Sequence, residues 1–225
     1  MLNPDIFVLG VRIAEPVTTV TDILTAIIAF AGYLGLRDFG NGPVRDRETY
    51  LFSWYFFLLG MAMLLSGFFG HAFRYALPDS WRLFGWTLSG AAILTAELAT
   101  NHALLQERSY SHPGFFSLIP WIQFTVFFIL LLRTSDFRIV RQNSTIGLIL
   151  YVLPLQYLMQ QASGSAGRRL IITGIIVGLL PAITFTRQIS ISRWFNHHDI
   201  SHILMGLVIF LMYRGAFLTA EERQE

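Results

Sequence analysis

His198 and His202 stand four residues apart in the segment N-H-H-D-I-S-H, which opens the last apolar run of a 225-residue chain. Residues four apart on a helix share a face. Two imidazoles on one face, joined by a third from a neighbouring helix, make a three-histidine metal site with a fourth position open to water. His71, near the end of an earlier apolar run, is the candidate third ligand. Other readings fit the same residues. The pair suits an interfacial helix start, and a lone membrane histidine such as His71 suits a helix–helix hydrogen bond.

The elements that must carry these residues are long and apolar. The chain is 54% hydrophobic and 13% charged, about half the charge of a soluble domain. Seven segments approach the roughly twenty residues needed to cross a bilayer. They run over Pro16–Leu36, Tyr50–Tyr75, Trp81–Leu105, Phe115–Leu132, Ser144–Gln161, Arg169–Thr186 and Phe195–Phe217. Pro154 predicts a kink in the fifth. The pattern predicts a single all-α domain over residues 1–225, an integral membrane bundle of seven transmembrane helices with a short polar tail from about residue 219. A multi-pass protein of the cell membrane is the expected setting.

Composition removes several function classes. Without Cys there are no disulfides, thiol nucleophiles or thiolate ligands. Without Lys a retinal Schiff base cannot form. A net charge of +2 with no long basic run gives no footprint for nucleic acid. The first ten residues lack the charged n-region of a cleaved signal peptide, so none is expected.

Alternation of spans puts the end of span two and the start of span seven on the same side of the membrane. His71, His198 and His202 therefore fall in one half of the bilayer. Glu15, Asp22, Ser66, Asp79 and Asp199 fall there too, whereas Glu97, Asn101 and His102 lie about 22 Å or more along span three. An ionisable group inside a membrane is costly and points to function. Asp22 needs a partner. Glu15 suits a helix start and Asp79 or Ser80 an N-cap. Asp199 suits either a group orienting a metal ligand or a helix N-terminal acid. Ser66 suits helix packing beside Gly67 or a place in the site.

These residues resemble the pattern of the CREST superfamily of seven-span membrane proteins, which includes the alkaline ceramidases and the progestin and adipoQ receptors. The match rests on His71, on the H-x-x-x-H of His198 and His202, and on Ser66, with Glu15 or Asp22 as a counterpart of an acid near the first helix. The resemblance implies zinc held by the three histidines and hydrolysis of a lipid amide or ester, with a bilayer lipid as substrate. For that chemistry the candidate catalytic groups of this chain are Ser66 as oxyanion donor and Asp79 or Asp199 as proton shuttle. The family spacing is Ser-x-x-x-His, whereas Ser66 lies five residues before His71. Five residues differ by about 140° on an ideal helix, and a π-bulge would restore the phase. A zinc-containing receptor-like protein without turnover is the main alternative. A haem carrier and a transporter using Asp22 and Glu97 rank lower.

Overall fold

The computed structural model describes residues 4–40, 46–108 and 113–224. The segment R-D-F-G-N-G-P-V-R-D-R-E, which reads as a polar, Gly- and Pro-containing turn, falls partly on residues 41–45, outside the described residues. A hairpin precedes the helices: β1 (Ile6–Val8) pairs antiparallel with β2 (Val11–Ile13). Leu9 and Gly10 turn between them with φ of 50° and 81°, the two positive values of a type I′ turn. This hairpin was not expected. Its signal is the Leu-Gly pair set between short apolar runs.

The helices are α1 (Pro16–Gly40), α2 (Arg47–Leu65), α3 (Arg82–Arg108), α4 (Pro113–Thr134), α5 (Phe137–Thr145), α6 (Leu153–Ser163), α7 (Ala166–Val177), α8 (Leu179–Thr186) and α9 (His197–Glu222). Two π-helical stretches interrupt them, Ser66–Ala72 after α2 and Ile146–Val152 between α5 and α6. Among the described residues, six helices are long and apolar enough to cross a membrane: Pro16–Phe39, Arg47–Ala72, Asp79–Gln106, Phe116–Thr134, Ala166–Thr186 and His197–Glu222. The expected fifth span is not among them. It lies inside an unbroken helical run from α5 through the π stretch to α6. Arg138, Arg141, Gln142 and Asn143 at one end, with Gln156, Gln160 and Gln161 at the other, dilute its hydropathy.

Local sequence explains the breaks. Pro154 follows the π stretch and sits at the start of α6, so the expected irregularity takes the form of a π turn where proline removes a backbone donor. Gly178 and Pro181 divide α7 from α8 for the same reason. Gly164, at φ 70°, ends α6 in the left-handed conformation. Asp46, Asp136, Ser165 and Asn196 cap α2, α5, α7 and α9 through side-chain oxygens. Asp79 does not cap α3. Pro78 occupies the cap position of a 3₁₀ turn, Asp79–Trp81, that leads into it.

The apolar core gathers Leu36, Phe52, Phe56, Ile175, Ile209 and Met212, with Ala92, Ala96 and Ala99 from α3. At the end of the bundle where α2, α6 and α9 meet, an ion-pair cluster is sealed inside. Arg168 is 1% exposed and Glu48 2%. Arg168 donates to Glu48 Oε1 at 3.3 Å and Gln156 Oε1 at 2.9 Å. Gln156 reaches Thr100, and Arg223 pairs with both Glu48 and Asp46. This clasp ties α2, α3, α6, α7 and α9 together and leaves the opposite end to the histidines.

Candidate metal centre

Helix α1 brings a polar stripe to the histidine end of the bundle. Thr18, Thr21, Asp22 and Thr25 follow the i, i+3, i+4, i+7 spacing of one helix face, and all four are buried. The stripe faces the start of α9. Thr18 donates to Asp199 Oδ1 at 2.6 Å, Thr25 donates to the His202 carbonyl at 3.0 Å, and Thr21 Oγ1 lies 3.2 Å from His202 Nδ1.

Asp22 is 0% exposed, and neither carboxylate oxygen has a hydrogen-bond partner. Oδ1 lies 3.3 Å from His202 Nδ1 and Oδ2 lies 3.7 Å from His71 Nε2. One ligand atom from each of Asp22, His71 and His202 falls within 4.8 Å of the others. The rings of His71 and His202 are 6.0 Å apart at an interplanar angle of 71°, so they converge without stacking.

His71 is held from behind. Its Nδ1 donates to Glu15 Oε2 at 2.6 Å, and Arg74 pairs with the other Glu15 oxygen. With the proton on Nδ1, Nε2 turns a lone pair toward the carboxylate of Asp22. Two acceptors facing one another in a largely buried site fit a cation between them. Glu15 is 1% exposed and adopts a positive φ of 46° just before Pro16, a strained conformation for a non-glycine residue. Burial works against its ionisation. The hydrogen bond and charge of His71, with those of Arg74, outweigh burial and hold its carboxyl below the usual range.

The remaining expected residues fall in different places. His198 stands beside the cluster, its ring 5.6 Å from that of His71 and 5.2 Å from Phe185. The tight donor group therefore contains Asp22 where the sequence put His198. Asp199 completes a capping box: Oδ2 accepts from the Asn196 backbone at 2.6 Å while Oδ1 takes Thr18. Both oxygens secure the start of α9 against α1, which favours the helix-start reading over orienting a ligand. Asp79 leaves the site altogether. Its side chain is 85% exposed and pairs with Arg82 one turn on, because the 3₁₀ turn carries it off the end of the bundle.

Ser66 begins the π stretch that ends just past His71. In a π turn, residues five apart stand as residues four apart do in an α-helix, so the out-of-phase spacing is restored. Ser66 Oγ lies 3.3 Å from where a Cβ on Gly70 would be. At position 67, where the resemblance would place serine, a Cβ would come within 3.0 Å of Asp22 Cβ and 3.4 Å of the Thr19 carbonyl. Glycine there lets α1 press Asp22 into the histidine cluster.

The donors, two imidazoles and one carboxylate, suit zinc with an open position, and the unpartnered Asp22 oxygens fit a bound cation. The sequence reading named Asp22 only as a secondary candidate and missed the threonines, although their helical spacing is written in P-V-T-T-V-T-D-I-L-T. Comparison with curated proteins and with solved structures gives no match. The model of a family of unknown function, DUF6962, matches residues 17–220. By the extent of that match, which takes in Asp22, Ser66, His71, His198 and His202, the chain belongs to this family.

Proposed function

We propose that the protein is a zinc-dependent hydrolase of the cell membrane that cleaves an amide or ester bond in a lipid. The observation that carries this reading is the Asp22 carboxylate, buried without a hydrogen-bond partner between His71 and His202. A buried anion in that setting is explained by a metal. Asp22, His71 and His202 would hold it, with His198 alongside. Zinc so held supplies Lewis acidity toward a carbonyl and lowers the pKa of water to about 7.

The protein's own groups divide the remaining work. Glu15 keeps His71 in the tautomer that presents Nε2, and Arg74 keeps Glu15 ionised. Asp199 and Asn196 fix the start of α9, and so the direction of His198 and His202. Ser66 sits on the same π stretch as His71, and its hydroxyl would donate to a developing oxyanion. A cleft of about 750 Å³ lined by Leu65, Phe69, Trp81, Phe84 and Leu132 borders that stretch, which suits an acyl chain entering from the bilayer.

The seventh crossing belongs to the same proposal. The composite helix begins where Phe137 meets Trp86 and Phe185, and it ends where Gln156 meets Arg168 and Thr100. Its 27 residues, at 1.5 Å each, reach about 40 Å. This supports a span that keeps α7 antiparallel to it. The resemblance to the CREST superfamily supports the same count and chemistry.

Metal content tests the reading. Freshly purified wild type should carry about one zinc per chain, lost in Asp22→Ala, His71→Ala and His202→Ala. Zinc-loaded protein should release fatty acid from a panel of ceramides and acyl lipids. A wild type without zinc overturns the proposal. Zinc without turnover on any lipid leaves a receptor-like zinc protein in its place.

A further inference from the structure

Four acids at 2% exposure or less lie within the described spans: Asp22, Glu48, Glu97 and Asp199, the last of which accepts from Thr18 and from the Asn196 backbone. Glu48 is neutralised by Arg168 and Arg223. Asp22 faces two histidines. Glu97, on α3 and 1% exposed, has none of these arrangements. Its Oε1 has no hydrogen-bond partner, and its carboxyl bonds to the side chain of Gln123 from α4. The Gln123 amide in turn donates to Asn143 Oδ1 of α5 at 3.2 Å. Tyr151 interacts with Glu97 and donates to Asn101 at 2.7 Å.

The helix opposite Glu97 is shaped around it. A Cβ on Gly147 would stand 2.6 Å from Glu97 Oε1, so glycine makes the room this oxygen fills. Gly147 and Tyr151 both belong to the π stretch Ile146–Val152, an irregularity that favours functional sites. The groups facing Glu97 are neutral amides and one phenol. Other titratable groups on the neighbouring elements are turned elsewhere: Tyr55 of α2 bonds to Met212, and Arg141 of α5 lies against Phe185 and Thr186. A carboxylate this deep requires a counter-charge, and a proton supplies it.

We propose that Glu97 is a second functional site, a membrane-embedded carboxyl that binds and releases a proton, separate from the metal centre. A carboxyl built only for packing would have both of its oxygens hydrogen-bonded. Glu97 instead keeps one oxygen unpaired against glycine in a distorted helix. The ligand class is a proton rather than a metal ion, because the surrounding amides and phenol bring no second anionic ligand.

Difference infrared spectroscopy of the full-length protein, wild type minus Glu97→Gln, tests this. The expected result is a protonated-carboxyl carbonyl band at neutral pH that shifts in D₂O, disappears as pH rises, and is unchanged by zinc chelation. No band at neutral pH overturns the proposal. So does a band that neither shifts in D₂O nor titrates, which marks a sealed packing group. Loss of the band on adding sodium at fixed pH also overturns it, in favour of a cation site. Should Glu97→Gln fail to fold, a hydrophobic carbodiimide on wild type decides. Mass mapping should find the adduct at Glu97, with yield falling about tenfold for each pH unit above the infrared midpoint. Absence of the adduct there at all pH values overturns the proposal.

Discussion

Asp22→Asn separates a metal ligand from an accident of packing by how far zinc then stabilises the fold. The substitution keeps the shape of the side chain and removes its charge. Structural zinc sites bind with about 10–16 kcal/mol, so one ligand of four carries about 3–4 kcal/mol, or roughly 10²–10³ in affinity. With free zinc at about 100 times the wild-type Kd, binding stabilises the fold by about 2.7 kcal/mol, and a variant binding 100-fold more weakly keeps about 0.4 kcal/mol. Zinc should therefore raise the unfolding temperature of wild type more than that of the variant, by about 2.3 kcal/mol or roughly 5–9 °C for a chain this size. After chelation the variant should be the more stable. Wild type then keeps a fully buried carboxylate without a hydrogen-bond partner, whereas asparagine is neutral and its amide can donate to an imidazole, which recovers about 1–3 kcal/mol. Thermal unfolding in detergent with zinc and with chelator reads both effects. A variant that zinc stabilises as much as it does wild type, or a wild type indifferent to zinc, refutes the reasoning.

Glu15→Gln should weaken zinc binding by about 10–100-fold in a competition titration, since it removes the carboxylate that orients His71. Arg168→Ala should cost roughly 3–5 kcal/mol in denaturant unfolding by opening the buried clasp, with zinc content per folded chain unchanged because the clasp lies at the far end of the bundle. Gly67→Ala should cost about 1–3 kcal/mol and lower zinc affinity together, because the added methyl meets Asp22 Cβ at 3.0 Å; a variant that binds zinc as wild type does would show that the helix crossing does not set the site.

Antiparallel alternation was enough to place His71, His198 and His202 at one end of the bundle, because it depends on the order of apolar runs and not on their exact bounds. It also kept Glu97 away from them. What alternation cannot give is rotation about each helix axis. That is why His198 and Asp22 exchanged rank: the convergence of Asp22 on His71 and His202 depends on how α1 rolls against α2 and α9. The roll was legible in the stripe Thr18, Thr21, Asp22, Thr25, since four polar residues on one face of a membrane helix must face protein. Asp79 and Asp199 misled because a carboxylate near a helix start reads alike whether it caps, pairs with a neighbour or serves a site. The hairpin of residues 6–13 was hidden by its shortness, and the fifth span by the polar residues at both of its ends.

On the proposed resemblance to the CREST pattern, the differences at positions 66 and 67 amount to one rearrangement and not two mismatches. An α-helical α2 with serine at 67 would bring a hydroxyl to the level of His71 and hold α1 away by the width of a side chain. With glycine at 67, the backbone of α1 closes to the point where a Cβ would touch Asp22 Cβ and the Thr19 carbonyl, and the carboxylate takes the space. The π stretch Ser66–Ala72 then returns a serine to nearly the same face one residue earlier. The exchange replaces a neutral donor at the centre with an anion and retains the donor at its edge. An anionic ligand raises affinity for a metal and lowers its Lewis acidity, so zinc bound as proposed would be held tightly and would polarise a carbonyl less strongly than in a three-histidine centre. Restoring the other arrangement needs both changes at once, since either Gly67→Ser or Asp22→Ala alone leaves the helix crossing and the ligand set in conflict.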